Sequence, residues 1–393
     1  MGRVILPGST IGVFGSGQLG RMCAISARRL GYRVHVFSPE KDTPTGHVSD
    51  FEMQSSYYDL DAVAEFARKV DVVTFEFENI PIETINVVDR FSPVHPSANV
   101  LHTTQQRIRE KSFLWSNGIP VTPFHPIRTQ EELEATPSEL LPGVLKTAAW
   151  GYDGKGQVKV ESHDGLESAW AELNCEHAVL ERFVNFEAEL SVVAARGQDG
   201  EIALYGPFTN THRNHILDLT VSPSEVTEKI ANESKEITRA ILTQLEMIGV
   251  LCVEFFLTTS GELLVNELAP RPHNSGHLTI DAHATSQFEQ QVRSVCGLPL
   301  GATTQLRPAA MANLLGDVWQ HGEPDWPQAL AVNDLKLHLY GKQEARVGRK
   351  MGHITVLADS ATKAAELALD ARKSIAVPEG KQQLRSHEQG CTS

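Results

Sequence analysis

Two glutamates, a lysine and a glycine-rich stretch are the residues of this sequence best suited to chemistry. Cys252-Val-Glu254-Phe-Phe and Leu263-Leu-Val-Asn266-Glu267 read as two strands that each carry an acid. On neighbouring antiparallel strands, Glu254 and Glu267 repel unless a cation sits between them, and hard oxygen donors suit Mg²⁺ bridging nucleotide phosphates. Val253 and Phe255 flank Glu254 in an otherwise apolar strand, which argues against a merely solvated face. Lys146 ends another strand and is followed by Trp150-Gly151-Tyr152-Asp153-Gly154-Lys155-Gly156-Gln157. The G-x-x-x-x-G-K-[ST] spacing of a Walker A loop is absent. Even so, Gly151, Gly154 and Gly156 permit a loop whose amides close over phosphate oxygens, with Lys146 and Lys155 adding charge.

A different chemistry is suggested near the start. Gly15-Ser-Gly17-Gln-Leu-Gly20 follows a strand and opens a helix, and Glu40 lies 20 residues beyond Gly20. This is the pattern and context of a dinucleotide-binding turn, and by itself it favours an NAD-dependent dehydrogenase. A dehydrogenase, however, has no need of a second phosphate apparatus, and one is present.

The elements that must hold these residues fall into three textures. Strands at Ile11–Gly15, Arg33–Phe37 and Asp71–Phe75 alternate with helices at Gln18–Leu30, Leu60–Lys69 and Ile82–Arg90, the signature of a parallel sheet with helical crossovers. A further helix is expected from Thr103 to Ser116, stopped by Asn117-Gly118. Short strands (Gly143–Thr147, Gln157–Val160, Ala178–Glu181) then surround the glycine-rich loop, and Thr129 and Asp164 each precede an acid at a helix N3 position. Longer strands follow from Leu190, interrupted by one long helix at Glu225–Met247, with a last helix near Ala361–Ser374.

Composition bounds the rest. The 393 residues are 41% hydrophobic and 21% charged, ordinary for a folded chain of two or three domains. A formal charge of −14 makes nucleic acid and anionic membranes poor generic partners, so any phosphate ligand requires locally concentrated positive charge. Five scattered cysteines without C-x-x-C spacing argue against a disulfide scaffold or zinc ribbon. No run of about 18 apolar residues suggests a membrane span, and no leader pattern is evident, so the expected location is cytoplasmic.

Taken together, Lys146, the Gly151–Gly156 loop, Glu181–Val184, Glu189, Glu254 and Glu267 resemble the ATP-grasp superfamily. Gly15–Arg21, Trp150–Gln157, Asn266–His277 and Gly348–His353 narrow the resemblance to the N5-carboxyaminoimidazole ribonucleotide synthases, over about Ile11 to His353. The resemblance implies an α/β fold: an N-terminal Rossmann-like parallel domain (1–105), a linker helix and lid (106–188), and a C-terminal mixed-sheet domain (189–393). It also removes the NAD reading.

What the resemblance implies for the site is specific. Lys146, Arg107 and the loop residues Gly151, Gly154, Lys155, Gly156 and Gln157 meet ATP, with Glu181 and Val184 at the adenine hinge and Glu189 at the ribose. His212 and Asn266 are further ATP contacts. Glu254 and Glu267 hold Mg²⁺; Ala269 stands two residues beyond Glu267, so the third metal ligand is left open. Bicarbonate attacks ATP to give carboxyphosphate, and the amine of 5-aminoimidazole ribonucleotide then captures the activated carbon as a carbamate. Arg271 and His273 face the bicarbonate, since a planar guanidinium suits a planar carboxylate. Asp153 is the base that takes the amine proton as the loop closes, with Tyr152 beside it. Lys342, Arg349 and Lys350 meet the substrate 5′-phosphate, with amides of the Gly15–Gly20 loop; Gln18, Leu19, Glu76 and Asn274 contact the rest of the ribonucleotide. A homodimer is expected. The sister family, the formate-dependent glycinamide ribonucleotide transformylases, shares most nucleotide residues and is the alternative; His277 after Ser275-Gly276 and the Gly-Tyr-Asp loop favour the carboxylase.

Overall fold

The computed structural model describes residues 4–149 and 156–376. They form three sheets in chain order. The first joins β1 (Thr10–Phe14), β2 (Arg33–Ser38), β3 (Phe51–Gln54) and β4 (Val72–Phe75), all parallel, in the order β3-β2-β1-β4. Since β1 lies between β2 and β4, the strand order turns there. The loops after β1 and β4 therefore open side by side at the carboxyl ends of the strands, where α/β sheets bind ligands.

A small antiparallel sheet follows: β5 (Phe124–Ile127), β6 (Gly143–Thr147), β7 (Gln157–Val160) and β8 (Ala178–Arg182), ordered β5-β8-β6-β7. Helix Leu166–Leu173 closes its own small core, with Leu166 and Ala169 against Leu145, Val160 and Leu180. The third sheet has eight strands: β9 (Phe186–Arg196), β10 (Ile202–Arg213), β11 (Ile216–Ser222), β12 (Gly249–Thr258), β13 (Leu263–Ala269), β14 (Ala309–Leu315), β15 (Leu335–Leu339) and β16 (Lys350–Leu357). Its order is β13-β12-β9-β10-β11-β14-β16-β15, and the pairing is antiparallel throughout. Where a mixed sheet was expected, hairpins do most of the joining, and the parallel contact at its edge is an isolated bridge from Val121 to Val265.

Alternation along the long strands decides what faces what. Leu251, Val253 and Phe255 pack under helix Glu228–Gln244, while Cys252 and Glu254 point to the opposite face. Helix Gln287–Val295 ties that opposite face to the N-terminal sheet, burying Phe288, Val292 and Val295 among Val13, Leu19 and Met22. Its Gln291 accepts from Val250 N at 2.7 Å and donates to Thr74 Oγ1 at 2.6 Å, so the two sheets are held in register by one buried amide.

Two local expectations are corrected. The helix expected over Thr103–Ser116 is broken into Ala98–Thr104 and Arg107–Ser116, because Gln106 is extended and caps the second helix by accepting from Arg109 N. Asp164 caps nothing: His163–Gly165 is a 3₁₀ turn, and the following helix starts from Gly165 without a side-chain cap. Thr129, by contrast, accepts from Glu132 N as expected.

The opening glycine motif also departs from its expected use. Glu76, the first residue after β4, accepts the Gly17 amide on Oε1 and the Gly20 amide on Oε2 at 2.8 Å. Amides that a dinucleotide-binding turn offers to a pyrophosphate are here committed to the protein's own carboxylate, so those two do not lie open for a phosphate. Gly15 has φ +97°, and a Cβ there would lie 2.4 Å from Glu76 Cγ. Gly15→Ala is expected to cost about 2 kcal/mol or more of stability, from left-handed backbone strain plus displacement of Glu76. Denaturant unfolding measures this, and an unchanged midpoint would contradict it.

Candidate active site

A cleft of about 660 Å³ opens where the three sheets meet, lined from the N-terminal sheet by Gln18, Leu19 and Glu76. Its floor is the register pair Glu254–Glu267 on β12 and β13. Directly opposed residues share a face, so the two carboxylates project into the cleft together. The ladder slips beside them: Phe255 pairs with Val265, which leaves Asn266 as the extra residue of a bulge. Burial and the neighbouring Glu267 push the Glu254 carboxyl up to about 7, against the pull of His212 and Lys350. The donor set fits a hard divalent cation: two carboxylates that repel one another when empty, with phosphate oxygens and water to complete the coordination. Among the described residues no group of three or more His, Cys, Asp or Glu is arranged to hold a metal unaided.

Helix Arg107–Ser116 docks onto β13 through residues on successive turns. Arg107 Nη1 lies 3.1 Å from Glu267 Oε2, Glu110 Oε2 accepts from Leu268 N at 3.1 Å, and Lys111 Nζ donates to the Asn266 carbonyl at 3.1 Å. Lys111, fully buried, also lies 3.3 Å from Glu181 Oε2, which Lys146 approaches at 2.9 Å. Burial alone would raise the Glu181 carboxyl, but Lys111, Lys146 and Arg107 outweigh it and hold the group down at about 2. Lys146 thus enters the cleft from β6, paired to the strand that leads to Val184.

On the other side, Glu189 Oε2 and His212 Nδ1 lie 2.8 Å apart across β9 and β10. Burial lowers the His212 pKa and the Glu189 contact raises it, with a net increase. Arg271 is gripped in fork fashion by Glu78, with Nη2 3.1 Å from Oε1 and Nε on Oε2 at 2.5 Å. His273 Nε2 lies 3.2 Å from Glu254 Oε1, and burial and the Arg271 and Lys350 charges hold the ring neutral, its pKa well below the ordinary value. Among the described residues, neither side-chain atom of buried Asn274 at the cleft has a hydrogen-bond partner, and Asn266 Oδ1 likewise has none.

Most of the residues singled out in the sequence therefore line one cleft, including Gln157 and Lys350. Lys342 stands next to it, donating to the Lys350 carbonyl at 2.7 Å and acting on Glu76. Arg349 is not brought in: its Nη1 donates to the Glu344 carbonyl at 2.9 Å in the neighbouring loop. Gly156 sits against Thr147 with φ +71°, at the mouth of the loop. Gly151, Tyr152, Asp153, Gly154 and Lys155 lie outside the described residues. Sequence reasoning missed Glu78, Glu110 and Lys111. A signal existed for Glu78, which shares the Phe75-Glu-Phe-Glu-Asn79 stretch with Glu76 just past a strand end. The Phe186–Phe256 stack, 4.7 Å between centroids, adds an apolar wall that was also unread.

Comparison with known proteins places the chain among characterised relatives. The ribonucleotide synthetase preATP-grasp domain matches residues 8–105, the ATP-grasp domain 112–288, and the phosphoribosylaminoimidazole carboxylase C-terminal domain 309–367. N5-carboxyaminoimidazole ribonucleotide synthase of Bacillus subtilis is 44% identical over 356 residues, spanning 90% of this chain and 93% of that protein. The crystal structure of an ADP complex of N5-carboxyaminoimidazole ribonucleotide synthetase superposes with a TM-score of 0.89 at 41% identity, covering 94% of this chain and 98% of that one. The Aspergillus clavatus synthase in complex with ADP and 5-aminoimidazole ribonucleotide gives 0.85 at 30% identity, over 93% and 98%.

The buried acids set a pH dependence. Burial and Glu267 raise the Glu110 carboxyl from 4.5 to about 8, against Lys111 and Arg107. Folded Glu110 keeps a proton that the unfolded chain has lost, so its contribution to stability falls as pH rises from about 5 through 8. Glu110→Gln removes that titration. Its stability relative to the unaltered protein is expected to rise across this window by on the order of 2 kcal/mol. Contributions from buried histidines are common to both proteins and cancel. Thermal unfolding of the pair at several pH values reads the difference, and a constant offset would contradict the expectation.

Proposed function

The chain belongs to the N5-carboxyaminoimidazole ribonucleotide synthases of the ATP-grasp superfamily, and on that footing we propose that it uses ATP and bicarbonate to carboxylate the exocyclic amine of 5-aminoimidazole ribonucleotide in purine biosynthesis. The observation that carries the site-level reading is the opposed Glu254–Glu267 pair in one cleft with Lys146, Arg107, Arg271 and Lys350. Those four cations stand where two anionic nucleotides and an anionic carbon source would meet.

In the first step a bicarbonate oxygen bonds to the γ-phosphorus and the bond to the β,γ-bridging oxygen breaks, releasing ADP and forming carboxyphosphate. Such transfers are accelerated mainly by positioning and charge neutralisation. Lys146 takes the α- and β-phosphates, Glu181 and Val184 the adenine, and Glu189 with His212 the ribose side. Glu254 and Glu267 would hold Mg²⁺, which would supply charge neutralisation on the phosphates, while Arg107 restrains Glu267. Arg271, immobilised by Glu78, presents a guanidinium edge to the bicarbonate. In the second step the ribonucleotide amine bonds to the carboxyl carbon, the carbon–oxygen bond to phosphate breaks, and Asp153 takes the amine proton. Closure of the Gly151–Gly156 loop would keep water from carboxyphosphate. Lys342 and Lys350 serve the 5′-phosphate. A homodimer and a cytosolic location are part of the proposal; no helix among the described residues is long and apolar enough to cross a membrane.

ATP hydrolysis by the purified protein is expected to rise with 5-aminoimidazole ribonucleotide and bicarbonate together. Stimulation only by formate plus glycinamide ribonucleotide would overturn the assignment in favour of the sister family. Lys146→Ala and Glu267→Ala are each expected to cut ATP cleavage at least about 100-fold. Lys350→Ala should raise KM for the ribonucleotide about 10-fold with a smaller change in kcat, and an unaltered KM refutes its phosphate role.

A further inference from the structure

Behind the carboxylate pair runs a line of polar side chains that the proposed chemistry does not use. Ser191, Asn210, Thr220 and Ser275 are all buried. Buried hydroxyls and amides cost about 1–3 kcal/mol each when left unbonded, so a line of four demands an account. Each is satisfied by the next. Thr220 Oγ1 donates to Asn210 Oδ1 at 2.9 Å, Asn210 Nδ2 donates to Ser191 Oγ at 2.9 Å, and Ser191 Oγ donates to Ser275 Oγ at 2.8 Å. Sheet register places them: Thr220 opposes Asn210, Ser191 opposes Glu254, and Ser275 comes from the turn Asn274–Gly276.

The line ends on His273. Because Ser275 Oγ receives the hydrogen of Ser191, its own hydrogen points to His273 Nδ1, 2.9 Å away. The Ser275 backbone N–H donates to the same nitrogen at 3.3 Å. That second contact settles the direction whichever way the Asn210 amide is turned, since a backbone amide can only donate. A ring nitrogen that accepts two hydrogen bonds carries no hydrogen. In the neutral imidazole the hydrogen is then on Nε2, which lies 3.2 Å from Glu254 Oε1, close enough for the N–H dipole to act on the carboxylate without an aligned hydrogen bond. With the opposite tautomer, a lone pair on Nε2 would face the carboxylate and repel it.

We propose that Ser275, backed by Ser191, Asn210 and Thr220, is a positioning residue that locks His273 as its Nε2–H tautomer and so orients Glu254 toward the cation it shares with Glu267. The proposal rests on the reading of Glu254 and Glu267 as the metal-holding pair. It adds a role for residues that touch neither nucleotide nor metal. Partners of a metal ligand typically change affinity 10–100-fold when lost; His273 is that partner of Glu254, and Ser275 stands one step behind it, so the low end of the range applies. The Cys252 thiol, 3.9 Å from Ser275 Oγ, is too distant and too weak a partner to replace His273 as the acceptor.

The test uses the full chain with ¹⁵N-labelled histidine. Two-bond ¹H–¹⁵N spectra identify the protonated ring nitrogen, and the His273 signals are assigned by their loss in His273→Gln. The unaltered protein is expected to show Nδ1 bare and Nε2 protonated; a protonated Nδ1 overturns the proposal with no variant needed. Ser275→Ala is expected to show a mixture of tautomers and to weaken the Mg²⁺-dependent part of ADP binding about 10-fold by calorimetry, with metal-free ADP binding unchanged. Ser191→Ala, a milder change should Ser275→Ala fail to fold, is expected to shift both readings the same way by less. A single Nε2–H tautomer with unchanged Mg²⁺ dependence in both variants refutes the role. Ser275→Thr restores a hydroxyl and is expected to recover the tautomer. Mg²⁺ dependence that survives Glu267→Gln would instead sink the metal-site reading, so the two failures are distinguishable.

Discussion

Two carboxylates opposed across buried strands are intolerable without positive charge nearby, and the Glu254–Glu267 pair imposes that demand on everything around it. The response comes from the second and third sheets, the turn after β13 and the helix Arg107–Ser116. Arg107 meets Glu267, His273 presents a ring N–H to Glu254, and Lys146, Lys350 and Arg271 stand around the same cleft. The formal charge is −14, and in the cleft the cations Arg107, Lys146, Arg271 and Lys350 stand among Glu76, Glu78, Glu181 and Glu189 as well as the pair itself.

The helix Arg107–Ser116 is the mechanical link. Its residues at i, i+3 and i+4 share one face. Through them it grips β13 at Glu267, Leu268 and Asn266, while Lys111 reaches the Glu181 carboxylate of the small sheet. The strand bearing the acid and the strand bearing the hinge are therefore referenced to the same turn of helix. The bulge at Asn266 turns its carbonyl to Lys111 rather than into the ladder.

Much of this was legible in residue order. Apolar alternation around Glu254 and Glu267 predicted neighbouring strands, and they pair with one another. Strands at Gly143–Thr147 and Gln157–Val160 fall where periodicity put them. What escaped were partnerships between distant residues. Glu78 and Arg271 are 193 positions apart, and nothing local to either says they meet. Nothing local to Lys111 says that it lies buried against the Asn266 carbonyl and Glu181, 155 and 70 positions away. Arg349 looked like a third phosphate ligand because it clusters with Lys342 and Lys350, but it closes a turn on Arg346 ahead of β16 and its guanidinium is held by the Glu344 carbonyl.

The sequence by itself determined the class of chemistry. Residue types and short spacings dictate strands, turns and the presence of phosphate-handling groups, because those follow from local sterics and hydrogen-bonding capacity. Tertiary structure alone decided who neutralises whom. The glycine motif is the plainest case: its spacing is that of a nucleotide turn, yet Glu76, more than fifty residues away and delivered by the parallel neighbour of β1, takes its amides. The same holds for the tautomer of His273, set by a line of hydroxyls drawn from three strands and a turn. Charge and proton placement depend on distances of a few ångströms in a low-dielectric interior, and only folding fixes those distances.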